Sequence, residues 1–278
     1  MTDHKMDLGG VKTRYEVLLQ RLHLALVPRT YLEIGIHSGA SIALTGPNTF
    51  VIGIDPEPQL RIEPPARVQI FAQTSDDFFA SNQPLALLQN RSIDLAFIDG
   101  MHLFEFALRD FINVERSMTA DGVIVIDDCF PREPGEAARE RTTDRWTGDV
   151  WKLIICLQRY RPDLAVNVID VDPAGVGIVT GLDPNSTVLA DAYDEILVEY
   201  LEMGYDHIAG DERRLLHVRP YKWHRIKRSL PRVPLGPITL EMRARRLAVI
   251  AEIEARRIIS PKWRGRVKSL LAKAPPSP

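Results

Sequence analysis

The chain has 278 residues, 45% of them hydrophobic and 26% charged, with a net charge of −2. That composition fits a soluble globular protein and excludes a disordered chain, a collagen or a coiled-coil rod. Two cysteines, Cys129 and Cys156, cannot build a disulfide framework, and no run of about 18 apolar residues is available to span a membrane. The first residues lack an apolar signal core, so the expected location is cytoplasmic. The charge is divided. Residues 211–278 hold 18 Lys and Arg against 5 Asp and Glu, or +13, which leaves −15 on residues 1–210. We therefore expect a domain over 1–210 and a basic, proline-punctuated helical extension over 211–278.

Seven short apolar runs, rich in Val and Ile, read as strands: Tyr31–Ile36, Phe50–Ile54, Val68–Ala72, Ile93–Ile98, Gly122–Ile126, Ala165–Val171 and Gly175–Val179. Their near-continuous apolarity is what strands buried on both faces require. Between them, Phe104, Ala107, Leu108, Phe111, Ile112 and Met118 share one helical face, while Glu105, Arg109, Asp110, Asn113 and Arg116 fall on the other. Alternating strand and helix argues for a doubly wound, mostly parallel sheet. Asp172-Pro173-Ala174 is too short for a parallel crossover, so the last two strands should form an antiparallel hairpin at the sheet edge. Residues 184–209 read as one more helix. Beyond them, Pro220, Pro231, Pro234 and Pro237 punctuate a linker, and an amphipathic segment, Thr239–Ile259, is followed by a basic stretch, Lys262–Lys273.

The first strand runs through Glu33-Ile34-Gly35-Ile36-His37-Ser38-Gly39-Ala40-Ser41, a small-residue turn leading to a helix start. Gly35 and Gly39 let a ligand approach the backbone, and Ser38 and Ser41 offer hydrogen bonds or a helix cap. A Gly-x-x-x-Gly spacing preceded by an acid is not the dinucleotide fingerprint, because an acid there repels a pyrophosphate. Asp55, 22 positions after Glu33 at the tip of the second strand, stands where a ribose diol would be held. Asp99 ends the fourth strand, and Asp127 and Asp128 end the fifth. Three carboxylates at one rim call for a compensating cation or protons, and Mg²⁺ suits such a set. His102 is the natural base candidate, with metal ligation or hydrogen-bond donation as its alternatives.

Glu-Ile-Gly-x-x-Ser-Gly-x-Ser, Gly-Ile-Asp-Pro, Ile98-Asp99-Gly100-Met101-His102-Leu103-Phe104-Glu105 and Gly122-x-x-x-x-Asp127-Asp128 resemble the class I S-adenosylmethionine-dependent methyltransferases. The likeness is strongest to the branch with an Ile-Asp-Gly-x-His-x-Tyr-Glu motif, which includes small-molecule and sugar O-methyltransferases; Phe104 stands where Tyr is usual. The resemblance covers about residues 10–185 and implies a Rossmann-like fold. It implies that Glu33, Gly35 and Gly39 line the methionine part of the cofactor, that Asp55 binds the ribose, and that Thr74, Ser75 and Asp76 lie near the adenine. It also implies a divalent metal on Asp99, Asp127 and Asp128.

The expected activity is methyl transfer to a hydroxyl of a small molecule or sugar, Mg²⁺-assisted, with His102 or Asp99 as base. No lysine occurs between residues 13 and 151 to serve instead. Trp146, in Trp146-Thr147-Gly148-Asp149-Val150-Trp151, offers an aromatic face to the acceptor, whereas Trp151 reads as packing against the sheet. An alternative is a catalytically idle subunit acting in assembly through its basic tail. The tail, with Trp223 and Trp263, suits homo-oligomer contacts or a peripheral membrane surface, and residues 219–278 should be dispensable for cofactor binding. The acidic catalytic body argues against a nucleic-acid partner.

Overall fold

A computed structural model describes residues 14–61, 67–81 and 84–231, with isolated positions between 236 and 251. Eight strands are described: β1 (Thr30–Ile34), β2 (Phe50–Ile54), β3 (Val68–Phe71), β4 (Ile93–Ile98), β5 (Met118–Ile126), β6 (Ala165–Asp170), β7 (Val176–Thr180) and β8 (Val218–Pro220). They form one sheet in the order β3-β2-β1-β4-β5-β7-β6-β8. Strands β1 to β5 pair in parallel, while β7 runs antiparallel between β5 and β6.

The hairpin expected from Asp172-Pro173-Ala174 is present, but it is not the sheet edge. Val218–Pro220 adds an eighth strand parallel to β6, with Val168 beside Val218. Three residues carry too little pattern to read as a strand in sequence; the open edge of β6 selects them.

Alternation along each strand divides the core into two layers. Leu32, Ile34, Ala96, Ile98, Ile124 and Ile126 pack with α4 (Phe104–Glu115), α5 (Trp151–Tyr160) and Ile196 and Tyr200 of α7 (Tyr193–Leu201). Tyr31, Leu95, Phe97, Val123 and Val125 face the other way, against Leu18, Leu19, Leu22 and Leu26 of α1 (Tyr15–Leu26) and Ile226 of α9 (Trp223–Ser229). The sheet-bearing unit thus continues through α9 and runs to Gly236, where charge alone had placed its end at residue 210. Trp223 packs in this second layer beneath the Arg21 guanidinium, 5.5 Å from its ring centre.

Three helical expectations come out differently. After β1 there is only a single 3₁₀ turn, Ile42–Leu44, because Gly46 and Pro47 end it at once. Residues 184–209 hold α6 (Val188–Asp191), α7 and a 3₁₀ turn at Tyr205–His207, with breaks at Ala192 and around Gly204. Asp110, expected on the polar face of α4, is buried, and so is Glu115 at the helix end. Glu115 accepts two bonds from Arg161, which is itself 2% exposed, at 2.7 and 3.0 Å. Most of Thr239–Ile259, and all of Lys262–Lys273 with Trp263, lie outside the described residues.

Candidate active site

The sheet reverses its winding between β1 and β4, and the carboxyl ends of the central strands carry the functional side chains. The ladder continues one step past them. Gly35 N–H donates to Ile54 O, Asp99 N–H to Ile34 O and Asp127 N–H to Ile98 O. Asp55, Gly35, Asp99 and Asp127 therefore stand side by side on four adjacent strands, at the rim of a cavity of about 940 Å³.

Gly35 has φ +84, and a Cβ there would overlap the Asp99 carbonyl, so glycine is required by backbone approach. Ser38 and Ser41 line the cavity. Glu33 and Gly39 lie behind its wall. Glu33 is fully buried and accepts hydrogen bonds from Tyr31 Oη, at 2.8 Å, and from Ser41 Oγ. Burial pushes its carboxyl up to about 8 despite those two donors, so Glu33 is protonated at neutral pH and supports the loop from beneath.

Asp55 lines the cavity while its carboxylate accepts the N–H of His37 at 2.7 Å and of Glu57 at 2.8 Å, tying the two strand tips together. Thr74, Ser75 and Asp76 line the same wall. Thr74 Oγ1 accepts the Asp77 N–H at the start of α2 (Ser75–Ser81). Asp76 is paired with Arg109 of α4 through bonds of 2.9 and 2.7 Å. Behind them sits Asp110, only 2% exposed. Its carboxyl is raised to about 7 by burial, against the opposing bond from Ser75, and its Oδ1 has no partner.

The third part of the site surrounds His102. Its Nε2 lies 3.3 Å from Asp99 Oδ1, and its Nδ1 lies 2.8 Å from Asp128 Oδ2, off the line of an ideal hydrogen bond. Although burial alone would lower it, the two carboxylates raise the imidazole to about 11. Asp99, His102 and Asp128 each offer a ligand atom within 4.8 Å of the others. Asp127 is beside them, its carboxylate accepting the Asp128 N–H at 3.0 Å, and burial with two neighbouring acids drives it well above the ordinary range. The sequence grouped Asp99, Asp127 and Asp128; the geometry groups Asp99 and Asp128 with His102.

His102 has φ +57 and is fixed from one side by residues 146–149. Trp146 stacks on the imidazole with ring centres 5.2 Å apart and planes at 12°, and it lines the cavity. Gly148 packs so closely that a Cβ would overlap the His102 carbonyl. Asp149 does not cap the helix that follows it. Its Oδ1 takes the Phe104 N–H at 2.7 Å and caps α4, while its Oδ2 is held by Arg139 and Lys152 at 2.7 and 3.0 Å. Trp151 is buried, as expected of a packing residue. Tyr15, Glu136 and Arg145 also line the cavity and were not singled out from sequence; only the crossing of α1 and of the loop after β5 brings them there.

These residues fit both implied groups. The cavity is ample for a nucleoside-sized ligand, Asp55 offers a carboxylate for a diol, and Asp110 keeps an unused buried acceptor. For a divalent cation, Asp99 and Asp128 supply the oxygens that Mg²⁺ favours. The nearby imidazole broadens the choice to Mn²⁺ and similar ions.

Comparison with known proteins agrees with the motif positions. Residues 32–129 match the family described as Methyltransferase domain. Solved structures with a similar chain path include the O-methyltransferase from Bacillus cereus in complex with SAH, 16% identical, covering 64% of this chain and 83% of that one with a TM-score of 0.45. The O-methyltransferase TomG from Streptomyces achromogenes, involved in Tomaymycin synthesis and in complex with SAM, is 16% identical over 60% and 78% of the two chains, TM-score 0.46. A cofactor-bound protein from MTB is 20% identical over 60% and 78%, TM-score 0.48. No curated protein matches the chain. The matched segment, about a third of the chain, contains Gly35, Asp55, Asp99, His102 and Asp128.

Proposed function

We propose that the protein transfers a methyl group from S-adenosylmethionine to a hydroxyl of a small molecule or sugar. The observation that carries this reading is the row Asp55–Gly35–Asp99–Asp127 along one cavity, with His102 and Trp146 closing its far side. Asp55 holds the ribose, the Gly35 loop with Ser38 and Ser41 borders the methionine portion, and Thr74, Ser75 and Asp76 border the adenine. Glu33 and Gly39 act from behind the wall by shaping that loop.

A neutral hydroxyl is a weak nucleophile, and a divalent cation bound there would lower its pKa and fix its oxygen. Asp99 and Asp128 would hold that cation, with His102 or Asp127 completing the set. The acceptor oxygen forms a bond to the methyl carbon as the carbon–sulfur bond breaks. Its proton leaves to Asp99, or to His102 once Asp99 and Asp128 are engaged elsewhere and no longer hold the imidazole in its charged form, giving an ether and S-adenosylhomocysteine. Alignment of oxygen, carbon and sulfur is the main contribution of the walls, among which the Trp146 face suits a ring-shaped acceptor. We place the protein in the cytoplasm, where its free cysteines stay reduced. Its basic residues 211–278 would dock on an acidic partner, a second copy or an anionic membrane surface.

Calorimetry with S-adenosylhomocysteine tests the cofactor site. Wild type should bind, and Asp55→Ala should weaken binding about 10- to 100-fold by removing a charge-assisted hydrogen bond of about 1.5–3 kcal/mol. Absence of binding to wild type overturns the reading. Titration with Mn²⁺ tests the metal site: Asp128→Asn should abolish binding, and retention of full affinity would leave direct base catalysis.

A further inference from the structure

Eight Asp and Glu residues line the cavity, and among the described residues a single Arg or Lys joins them, Arg145. It immediately precedes Trp146, on the side that Trp146 and His102 close. The loop that carries it is braced. Trp146 Nε1 donates to Ala138 O at 2.6 Å, Thr147 N–H and Oγ1 both donate to Glu136 O at 2.9 Å, and Thr143 Oγ1 donates to Arg145 O at 2.6 Å. The guanidinium itself is tethered without being consumed. Its Nη1 lies 3.6 Å from Glu136 Oε1, beyond hydrogen-bond length, and among the described residues no acceptor takes its N–H groups. Glu136 is 6% exposed and anchored by the Arg132 N–H at 2.8 Å, whereas the Arg145 side chain is 43% exposed. The buried acid thus holds a cation at the cavity and leaves its planar fork of donors open. Arg109 and Arg139, by contrast, are spent on Asp76 and on Glu105 with Asp149.

We propose that Arg145 anchors an acidic acceptor: the hydroxyl to be methylated belongs to a ring that also bears a carboxylate, and that carboxylate docks on the Arg145 guanidinium. This rests on the methyltransferase reading and names the acceptor class for it. A ring set against Trp146, with its hydroxyl at Asp99, has its other substituents within reach of the neighbouring residue. A neutral substituent makes no use of a guanidinium there, and a cationic one is opposed by it. A carboxylate is repelled by the rest of this acidic cavity, so one well-placed cation decides whether it enters, and a single guanidinium matches a single carboxylate bidentately.

The test is calorimetry on the full chain saturated with S-adenosylhomocysteine. It compares 3,4-dihydroxybenzoate with 3,4-dihydroxybenzyl alcohol, and glucuronate with glucose, with 3,4-dihydroxybenzylamine as the cationic probe. Wild type should bind the carboxylate member of at least one pair about tenfold or more tightly than its neutral partner. Arg145→Gln should bring the two affinities of that pair to within about twofold, while Arg145→Lys, a point charge without the fork, should keep part of the preference. The affinity for S-adenosylhomocysteine, titrated first, reports whether each variant is folded. An unchanged preference in Arg145→Gln, a wild-type preference for the amine, or no carboxylate preference in either pair overturns the assignment and leaves the cofactor reading intact. Loss of S-adenosylhomocysteine in both variants would reduce Arg145 to a support of the loop and also overturns it. Failure of wild type to bind S-adenosylhomocysteine overturns the methyltransferase reading itself.

Discussion

Replacing Asp149 by Ala should destabilise the protein more than any surface change. Its side chain is 1% exposed and faces Lys152, 4% exposed, at 3.0 Å. Without Asp149 the ammonium remains buried with the Leu201 carbonyl, at 3.2 Å, as its remaining contact. Breaking a buried pair from one side costs about 3–5 kcal/mol. Losing the acceptor for Phe104 N–H uncaps α4 and adds about 1 kcal/mol. Arg139 is 39% exposed and keeps Glu105, so it adds little. The sum, about 4–6 kcal/mol, corresponds to a fall in Tm of about 8–24 °C for a domain of this size. Equilibrium urea denaturation and thermal melting would measure it. Asp149→Asn keeps an acceptor for the cap and should lose less. In the Asp149→Ala background, Lys152→Met removes the stranded charge and should recover a large part of the loss. A single-variant loss under about 1.5 kcal/mol, or no recovery in the double variant, would refute the reasoning.

Gly35→Ala should cost about 2–5 kcal/mol, because φ +84 disfavours an L side chain and the new methyl meets the Asp99 backbone; a variant as stable as wild type would contradict the geometry. Glu33 binds its proton more tightly folded, with a pKa of about 8, than unfolded at 4.5. Its contribution is therefore full below about pH 4.5 and declines as pH rises toward 8; Glu33→Gln should make the stability–pH curve flatter across that window, and an unchanged slope would show that Glu33 is ionised in the fold. A chain ending at Leu216 lacks β8 and α9 and should lose stability and S-adenosylhomocysteine binding, whereas one ending at Gly236 should keep both. Equal melting temperatures for the two truncations would mean that the eighth strand is dispensable.

The sheet was legible in the sequence because a strand buried on both faces must be almost continuously apolar, as Gly122–Ile126 is and as Ile93–Ile98 is apart from Asp94. The rim was legible for a related reason. Asp55, Asp99 and Asp127 are the first charged residues after such runs, so pairing the strands was enough to align them. Sequence did not determine how the carboxylates are shared. Asp99 and Asp128 close on His102 because residues 146–149 press it into a left-handed backbone, a contact made across more than 40 positions. Asp110 read as solvent-facing by helical periodicity, but burial depends on what packs against a face, and Ser75 at the start of α2 covers that side of α4. The end of the domain was set by neither charge nor proline. Residues 218–230 are basic and punctuated like a linker, yet the open edge of β6 and the uncovered layer beside α1 recruit Val218, Ile226 and Leu230, since an unpaired strand edge and exposed apolar surface are satisfied by whatever chain can reach them.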